Sequence, residues 1–600
     1  MSCKGHPRPM SRRAEWTSLH GPWDFALDPE ARWTDPRQVT WARTIEVPFA
    51  PETPRSGIGE TGYFQACWYR RHLQAPPLAP DQRLLLHFGA VDFAATVWID
   101  GAQVASHEGG YTPFTVDITG HVRPDATLEI VVRAHDDPHD LCKPRGKQDW
   151  LLEPHGIWYP RTTGIWQPVW LERVHQTYIG SLRWASNLER WEIEVDANIC
   201  GSWQPDMGLS LRLHLSIDGK LLVDDTYALM HRELHRRLAL SDPGIDDARN
   251  HLLWSPDSPT LITARVELRD AAGQVIDAVD SYTALRNITI QSDQILLNGR
   301  PIRLRMVLDQ GYWPETGLSA PDDDALRRDV ELARAMGFNG VRKHQKLEDP
   351  RYLYWADQLG LMVWAEMPSA YRFTRVSIER QTREWIAAIE RDRSHPCIIA
   401  WVPFNESWGV PNLPDNPAER SYVQALYHLT KTLDPSRPVV GNDGWESVAT
   451  DIIGIHDYEA DPLKLAERYQ ATDIRASLHQ QRYGGRILVI HGHHTHHGDH
   501  PLVLTEFGGI ALSSLENTWG YVRSASPRQL ERRLRALLEV VRRQEVFAGY
   551  CYTQFADTYQ EANGLLYADR TPKIPLEHIA AINGMVPALP DAPEFPGMEV

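Results

Sequence analysis

The sequence has few cysteines, no long hydrophobic run and no excess of positive charge. Six cysteines stand far apart among 600 residues, and no Cys-x-x-Cys pair occurs. This spacing argues against the common structural zinc and redox motifs, and scattered thiols are typical of a reducing cytoplasm. The longest apolar run, Cys397 to Phe404, is too short to cross a bilayer. Residues 1–16 are polar and basic, so we expect no secretory signal.

The charge balance is acidic and the overall composition is that of a globular protein. Lysine and arginine together number 62 against 79 aspartates and glutamates, which gives a formal net charge of −17. Phosphate backbones and anionic lipids both attract basic surfaces, so we expect neither a nucleic-acid partner nor a membrane partner. Apolar residues make up 42% and charged residues 24% of the chain, which excludes a mainly disordered protein. The sequence therefore predicts a cytoplasmic protein.

Three regions differ in their hydrophobic pattern. Residues 1–175 contain short β-branched and aromatic runs such as Leu84–Phe88, which predict a β jelly roll. Residues 176–286 continue in this style, with Leu209–Ile217 followed by an Asp-Gly turn, and predict an immunoglobulin-like β-sandwich. From residue 287 to residue 600, short apolar strands alternate with amphipathic helices, which predicts a (β/α)₈ TIM barrel.

The third region contains eight candidate strands and five clear candidate helices. The strands are Ile302–Val307, Asn339–Lys343, Leu361–Ala365, Cys397–Pro403, Pro438–Gly441, Asp451–Ile455, Leu502–Thr505 and Gly549–Thr553. The helices are Asp322–Met336, Pro350–Leu359, Ile378–Arg391, Ala418–Leu433 and Pro527–Arg543. The connection between the fifth and sixth strands is too short for a full helix, so we expect an imperfect repeat there.

Polar residues follow most of these strands, and a TIM barrel carries its chemistry at the C-terminal ends of its strands. They are Arg342 and His344 after the second strand, Glu366 after the third, Asn405 and Glu406 after the fourth, His456, Asp457 and Tyr458 after the sixth, Glu506 after the seventh and Gln554 after the eighth. Two carboxylic acids at a barrel mouth can cleave a glycosidic bond when one is protonated and the other is ionised. A single strand-end glutamate more often caps a strand, but two glutamates in this pattern favour catalysis.

Five motifs give the chain a resemblance to a known family. They are Asn405-Glu406-Ser407-Trp408-Gly409, Thr505-Glu506-Phe507-Gly508-Gly509, Thr163-Gly164-Ile165-Trp166-Gln167, Asn298-Gly299 and Phe338-Asn339-Gly340-Val341-Arg342. In this order and spacing the chain resembles glycoside hydrolase family 2, the β-galactosidase and β-glucuronidase group. The resemblance extends over essentially the whole chain and implies the same jelly roll, sandwich and barrel.

The resemblance also implies roles for individual residues. Glu406 would be the general acid/base and Glu506 the nucleophile of a reaction that retains anomeric configuration through a covalent glycosyl-enzyme. Asn405 would bind the sugar 2-hydroxyl, and Arg342 and Tyr458 would lie beside the nucleophile. Further candidates for substrate binding are His344, Glu366, His456, Asp457, Gln554, Trp519 as a stacking wall and Asp149 in the first region.

The chain departs from the family pattern in two places. Glucuronidases of the family carry Asn-x-Lys, whose lysine reads the substrate carboxylate, before a Gly and an Asp-Arg-x-Pro-Lys run. Here the triplet is Glu561-Ala562-Asn563, so we expect uronides to be poor substrates. Magnesium-dependent β-galactosidases of the family carry Glu-x-His after strand three, whereas Glu366 is followed by Met367 and Pro368. We therefore expect no metal and no other cofactor.

A histidine-rich segment precedes the seventh strand, in the range 491–500. Imidazoles at this density can chelate zinc or nickel, but a specific metal site also needs fixed geometry and outer-shell partners. We favour an adaptable loop that contacts sugar hydroxyls and leave the metal as the alternative.

Together these observations predict an exo-acting, retaining glycoside hydrolase, with β-galactosidase as the first choice. The same chemistry on another glycoside is the alternative, as in an α-L-arabinofuranosidase, a β-mannosidase or a β-glucuronidase. A carbohydrate-binding protein that has lost catalysis is the second alternative, and the intact pair Glu406 and Glu506 argues against it. The expected partner is a carbohydrate substrate. The family often forms dimers, so a homo-oligomer stays open.

Overall fold

The computed structural model describes residues 5–123, 126–240, 250–470, 477–480, 485–490, 499–515 and 517–584. Within these ranges every helix is too short or too polar to span a membrane. Two β-sandwich regions precede a barrel of parallel strands, so the predicted fold class is confirmed. The exact domain boundaries at 175 and 286 stay predictions.

The first region contains twelve strands. They are β1 (Trp16–Ser18), β2 (Gly21–Asp28), β3 (Arg43–Val47), β4 (Ala66–Gln74), β5 (Gln82–Phe88), β6 (Val91–Asp92), β7 (Ala94–Ile99), β8 (Ala102–Glu108), β9 (Phe114–Asp117), β10 (Thr127–His135), β11 (Gly164–Ile165) and β12 (Val169–His175). They form antiparallel sheets in the orders β1-β12-β5-β9 and β3-β2-β4-β10-β7-β8, with a short pair β11-β6. Alternating side chains such as Phe25, Leu86 and Val97 are buried in one core between the sheets.

Within residues 176–240 and 250–286, which the structure describes, the second region contains seven strands. They are β13 (Thr177–Asn187), β14 (Glu192–Gly201), β15 (Ser210–Ile217), β16 (Lys220–Ala228), β17 (Glu233–Ala239), β18 (Ile262–Arg269) and β19 (Val275–Thr283). They form the sheets β13-β14-β17 and β16-β15-β18-β19. Asp218 and Gly219 both have positive φ, at 48° and 80°, as the two central positions of a type I′ turn require, and they join β15 to β16.

The third region begins with a small sheet and continues as the barrel. The small sheet contains β20 (Ile288–Gln291), β21 (Gln294–Leu297) and β22 (Arg300–Pro301). A separate short pair, β29 (Ile510–Ala511) and β30 (Val522–Arg523), lies outside the barrel sheet. The barrel strands are β23 (Leu304–Asp309), β24 (Gly340–Lys343), β25 (Met362–Glu366), β26 (Ile398–Val402), β27 (Ile453–His456), β28 (Leu502–Gly508) and β31 (Phe547–Thr553). These seven pair in parallel in the order β26-β25-β24-β23-β31-β28-β27.

The fifth predicted barrel strand, Pro438–Gly441, lacks a continuous ladder. It is an extended segment with isolated parallel bridges from Val439 to Trp401 and from Asp443 to Asn405, next to the edge strand β26. The short connection to β27 contains no helix, as the sequence predicted.

Seven helices lie in the described part of the third region. They are α1 (Asp323–Ala335), α2 (Pro350–Leu359), α3 (Arg375–Asp392), α4 (Pro417–Leu433), α5 (Pro462–Gln470), α6 (Pro527–Arg543) and α7 (Leu576–Ile582). The starts follow capping chemistry: α3 begins three residues before its predicted start because the Thr374 hydroxyl accepts a hydrogen bond from the Ser377 amide. The sequence reading had not predicted α5 and α7.

Candidate active site

The two glutamates lie at the C-terminal ends of two barrel strands that are not adjacent in the sheet, β26 and β28, and both face the barrel mouth. Glu506 lies within β28, and Glu406 follows β26. Three atoms lie within 4.8 Å of one another: one carboxylate oxygen of Glu406, one carboxylate oxygen of Glu506 and one ring nitrogen of His456. The sequence therefore brings its two candidate catalytic carboxylates into one site.

A sharp turn aims Glu406 out of its strand. Glu406 and Ser407 both have left-handed backbone conformations, with φ of 51° and 60°. Non-glycine residues adopt this conformation only where the surroundings impose it. Here the Glu406 amide donates to the carbonyl of Asp443 at 2.9 Å, and the Ser407 hydroxyl donates to Glu446 at 2.6 Å. These bonds fix the direction in which the carboxylate leaves the barrel.

Arg342 connects the strand ends beneath the site. Its guanidinium is fully buried and donates to Glu366 at 2.7 Å, to Glu506 at 2.9 Å and to the Oδ1 atom of Asn405 at 2.5 Å. It also lies 3.0 Å from Oδ2 of Asp443. A planar guanidinium offers five donors in a fixed fork, so one side chain orients residues from four parts of the barrel.

The charges around Glu506 favour its ionised form. Burial by itself would raise the pKa of Glu506, but the positive charges on His456 and Arg342 outweigh burial and hold the pKa at about 2. The hydroxyl of Tyr458 donates to the other oxygen of Glu506 at 2.7 Å. An ionised carboxylate held in this way is suited to nucleophilic attack.

The pKa values of Glu366 and Asp443 are shifted in opposite directions, although both carboxyl groups lie next to Arg342. Burial, with the charge of Asp443 added, raises the pKa of Glu366 to about 7 against the opposing effect of Arg342. Burial would also raise the pKa of Asp443, but Arg342 and His456 lower it to about 2. Glu366 also accepts the backbone N–H of Gln345 at 3.0 Å. Both carboxylates therefore anchor Arg342 from within the barrel.

Asn405 has one donor left for a ligand. Its Oδ1 accepts from Arg342, whereas its buried Nδ2 has no hydrogen-bond partner among the described residues. An unsatisfied buried donor costs free energy unless a ligand or water completes it. The amide is thus placed to donate to a sugar hydroxyl.

Comparison with known proteins is consistent with this geometry. The model described as "Glycosyl hydrolases family 2, TIM barrel domain" matches residues 288–584, and the model described as "Glycosyl hydrolase 2 galactose-binding domain-like" matches residues 60–159. The chain belongs to glycoside hydrolase family 2.

Relatives in the family carry two different activities in their names. A β-galactosidase from Thermoanaerobacter pseudethanolicus is 27% identical over 66% of this chain and 51% of its own length. A β-glucuronidase from Felis catus is 26% identical over 84% of this chain and 81% of its own. The chain spans about half the length of the first of these relatives. The β-glucuronidase of Bifidobacterium dentium has the same fold, with a TM-score of 0.76 at 19% identity over 96% of this chain and 98% of its own.

Two of the residues predicted to bind substrate have side chains that are hydrogen-bonded to other parts of the barrel. The carboxylate of Asp457 accepts from Arg468 and from the Tyr469 hydroxyl, both on α5. Gln554 is buried between Gln310, which donates to it at 3.0 Å, and Asn563, to which it donates at 2.6 Å. Both assignments stay predictions, although the side chains already have hydrogen-bond partners in the barrel wall.

Asp149 and Trp519 have structural partners as well. Asp149 is buried and accepts from the Leu151 amide and from the amide and ring of His155, so it organises its own loop. The Trp519 ring donates to the carbonyl of Gly156 at 2.6 Å and ties the loop after β28 to the first region. Each stays a candidate only as part of the wall of the site, not as a free ligand.

Aromatic rings on this side were missed by sequence reasoning. Tyr521 stacks on Tyr458, with centroids 3.5 Å apart, and is 47% exposed. Trp408, two residues after Glu406, stacks on Trp158 of the first region at 5.9 Å. Exposed faces of this kind bind the apolar faces of sugars. The motif Asn-Glu-Ser-Trp contained the second signal.

Lys147 is a charged residue that sequence reasoning missed. It belongs to a first-region loop whose Arg145 and Gly146 amides donate to the carbonyl of Ser369, after β25. Gly146 has φ of +57°, and a Cβ there would overlap the carbonyl of Gln345, so only glycine permits this approach. Lys147 is 5% exposed, and its ammonium lies 5.2 Å from the Trp408 ring centroid. Within the described residues, no carboxylate is within ion-pair distance of it.

His344 and Glu561 share the electrostatic environment of Lys147. Burial lowers the pKa of His344 well below its usual value, and the charge of Lys147 adds to this effect, so the ring is neutral. Burial raises the pKa of Glu561, and Lys147 opposes the rise. Glu561 accepts from the Tyr159 hydroxyl and from Asn563 at 3.1 Å. Glu561, which stands at the first position of the family triplet Asn-x-Lys, is thus held by neutral donors, one of which is Asn563 at the lysine position.

Two clusters have the composition of metal sites among the described residues: Asp357, His395 and Cys397, and the trio of Glu406, His456 and Glu506. In the first, Asp357 already accepts from His395 at 2.6 Å and from the Cys397 amide at 2.8 Å. In the second cluster, His456 already contacts both glutamates, and Arg342 also contacts Glu506. We assign neither to a metal. The histidine-rich residues 491–498 lie outside the described ranges.

Proposed function

We propose that the protein is a retaining, exo-acting glycoside hydrolase and that β-galactosides are its first substrate class. The observation that carries the chemistry is the approach of the Glu406 and Glu506 oxygens within 4.8 Å. A retaining pair needs a separation of about 5 Å, whereas an inverting pair needs about 6.5–9.5 Å to admit a water molecule. The short separation supports double displacement.

Each residue of the cluster has a role in this reaction. The Glu506 carboxylate attacks the anomeric carbon while Glu406 gives its proton to the departing oxygen, which yields a glycosyl-enzyme ester. Glu406 then takes a proton from water, the water oxygen attacks the anomeric carbon and Glu506 leaves. Arg342 and Tyr458 orient the nucleophile, and Asn405 donates to a hydroxyl of the bound sugar.

Contacts from the first region support cleavage at chain ends. The bonds from Trp519 to Gly156 and from Arg145 to Ser369 join first-region loops to two sides of the barrel mouth. An extended polysaccharide would have to displace these loops, whereas a terminal sugar would not. The same chemistry on an α-L-arabinofuranoside or a β-mannoside differs only in pocket shape, worth about 1–3 kcal/mol per group.

One observation favours a second candidate, a β-uronide. Lys147 is a buried cation without an ion-pair partner in the described part of the chain, and an unpaired buried charge is costly. A substrate carboxylate would supply that partner from the sugar. Glu561 argues the other way because its charge would repel the carboxylate whenever it is ionised.

A panel of 4-nitrophenyl glycosides tests both candidates. We expect hydrolysis of the β-galactoside with a kcat/KM above those of the β-glucuronide, β-galacturonide, β-mannoside and α-L-arabinofuranoside, and an initial product of β configuration by NMR. A preference for either uronide assigns the second candidate. Turnover of none of them, with sugar binding retained, favours an inactive carbohydrate-binding protein. Glu506→Ala is the matched negative control.

We further propose that the protein acts in the cytoplasm without a metal. The described cysteines are Cys67, Cys142, Cys200, Cys397 and Cys551, and all are free thiols. Free thiols persist in a reducing compartment.

A further inference from the structure

We infer that His456 is the counter-charge shared by both catalytic carboxylates, an imidazolium that stays in contact with the negative charge as it moves from Glu506 to Glu406 and back. The inference rests on the proposed double displacement. It gives His456 a role in the reaction that the resemblance to the family did not imply, since there it was a candidate for binding the sugar.

The ring of His456 lies between the two carboxylates. Its Nδ1 is 2.7 Å from Oε1 of Glu406, and its Nε2 is 3.4 Å from Oε1 of Glu506. Nε2 is also 3.5 Å from Oδ2 of Asp443. One imidazolium has two N–H donors on opposite sides, so it reaches both carboxylates at once.

The surroundings hold the ring in this position. The side chain of His456 is 1% exposed and ends β27. Gly444 provides the space, because a Cβ there would approach the ring to 2.7 Å, and its φ of +102° also favours glycine. The ring of Trp445 packs edge-on at 5.6 Å. The position of the imidazole is therefore built into the barrel before any substrate binds.

The groups that face the ring favour its protonated form. Burial lowers the pKa of His456, but the charge of Glu506 and hydrogen bonds with Asp443 and Glu406 raise it to about 10. Two other cationic or basic groups face the ring: Arg342, 3.5 Å from Nε2, and the neutral His344. Glu366, behind Arg342, completes a set of four carboxyl groups against the two cations.

The reaction keeps one negative charge on the catalytic pair and moves it. In the proposed reaction Glu506 attacks as the anion and Glu406 acts first as the acid. When the bond between the anomeric carbon and the leaving oxygen breaks, Glu506 becomes a neutral ester and Glu406 loses its proton to that oxygen. Hydrolysis of the ester returns the charge to Glu506 and a water proton to Glu406. A fixed cation in contact with both oxygens stabilises both states without reorganisation.

The hydrogen bond to Glu406 also selects which oxygen carries the proton. Nδ1–H donates to Oε1 in either state, because both a carboxyl carbonyl and a carboxylate oxygen accept. Oε2 is then the atom that gives and takes the proton. His456 thereby orients the acid/base as well as compensating its charge.

The experiment compares His456→Gln with wild type and with His428→Gln, an exposed histidine on α4 that serves as a control for folding. Glutamine keeps an N–H donor and removes the charge. With 4-nitrophenyl β-galactoside, or whichever glycoside of the panel is turned over, we expect kcat to fall about a hundredfold. The acidic limb of the pH profile should move up, because the charge of His456 lowers the pKa of Glu506 and the variant lacks that charge.

A purely structural role predicts a different result. If His456→Gln lowers the thermal unfolding midpoint but leaves the acidic pH limb in place, the shared counter-charge is wrong. Retention of wild-type kcat and pH limbs would also overturn it.

A second measurement is independent of activity. In the wild-type protein with ¹⁵N-labelled histidine, we expect one imidazole with both nitrogens protonated at pH 8, and this signal should be absent in His456→Gln. A neutral His456 at pH 8 overturns the inference even if the glycosidase is active. If no glycoside is hydrolysed but the imidazolium is observed, the proposed function fails while the charge assignment stands.

Discussion

Among the described residues, buried charged side chains are paired in one part of the site and unpaired in another. Around Arg342, each carboxylate of Glu366, Asp443 and Glu506 has a cationic nitrogen within 3.0 Å. Where the first region meets the barrel mouth, the buried Lys147 lacks an ion-pair partner among the described residues. The contrast teaches that the protein completes its own reaction centre and leaves the wall beside it for a ligand to complete.

We expect the paired residues to serve the reaction and the unpaired lysine to influence which substrate binds. A compensated network holds the nucleophile and acid/base before substrate arrives, and preorganised charge is the largest contribution in many enzymes. An uncompensated cation instead gains a partner only from the right sugar, so it distinguishes substrates. Variants in the two parts should therefore fail in different ways.

The largest effect is expected in the compensated part. Glu506→Ala should lower kcat on the order of 10⁴-fold or more, because no glycosyl-enzyme can form. Azide can then attack directly and give a product of inverted configuration. Glu406→Ala should still form the ester from activated aryl glycosides, and azide should accelerate its breakdown with net retention.

The stereochemistry of the azide products, measured by NMR, checks this assignment. The opposite outcome in the two variants would mean that the roles of Glu406 and Glu506 are exchanged. Near-wild-type rates in both would place the reaction elsewhere.

A smaller and selective effect is expected at the wall. If the substrate is a uronide, Lys147→Met should lower its kcat/KM about 10- to 100-fold and change that of the neutral galactoside by less than about threefold. Lys464→Met, which removes an exposed lysine on α5, should change neither. Equal losses for acidic and neutral sugars would show that Lys147 positions the loop and does not read charge.

Glu384 gives a pH-dependent prediction for the contact between the first region and α3. Its carboxyl accepts the Tyr111 amide at 3.0 Å, and burial raises its pKa to about 8. Because the folded pKa exceeds the unfolded value of about 4.3, the protonated form stabilises the fold at low pH, and this stability is lost as pH rises to about 8.

Glu384→Gln removes that titration. Above pH 8 the variant should unfold at a higher temperature than wild type, and near pH 5 the two should agree more closely. Glu379→Gln, an exposed glutamate on the same helix, is the control. The prediction is wrong if the difference between wild type and Glu384→Gln does not change with pH between 5 and 9.

The smallest expected effect is that of metal removal. Glu366 is held by Arg342 and lacks the histidine of the magnesium-dependent pattern, so exhaustive EDTA treatment should leave activity unchanged. Loss of most activity that magnesium alone restores would contradict this expectation.

The residues around Arg342 could be predicted from the sequence more completely than the wall that contains Lys147. The barrel strands were predictable because buried parallel strands are continuously apolar, as in Ile398–Val402. Polar residues at their ends then converge by topology, so Glu406, Glu506, Arg342, Asn405 and Tyr458 were found from spacing and motif. Asp443 follows the irregular fifth strand, and the same rule applied there would have found it.

The sequence by itself determined the fold class and pointed to the two candidate catalytic carboxylates, because strand period and strand-end position are local properties of the chain. Only the tertiary structure decided which side chains are free to act. Asp457 and Gln554 follow strands as Glu506 does, yet both are bound to the barrel wall. Lys147 enters from another region of the chain, and His456 acquires its charge from carboxylates on three separate segments. Burial and long-range contact set these properties, and no local pattern records them.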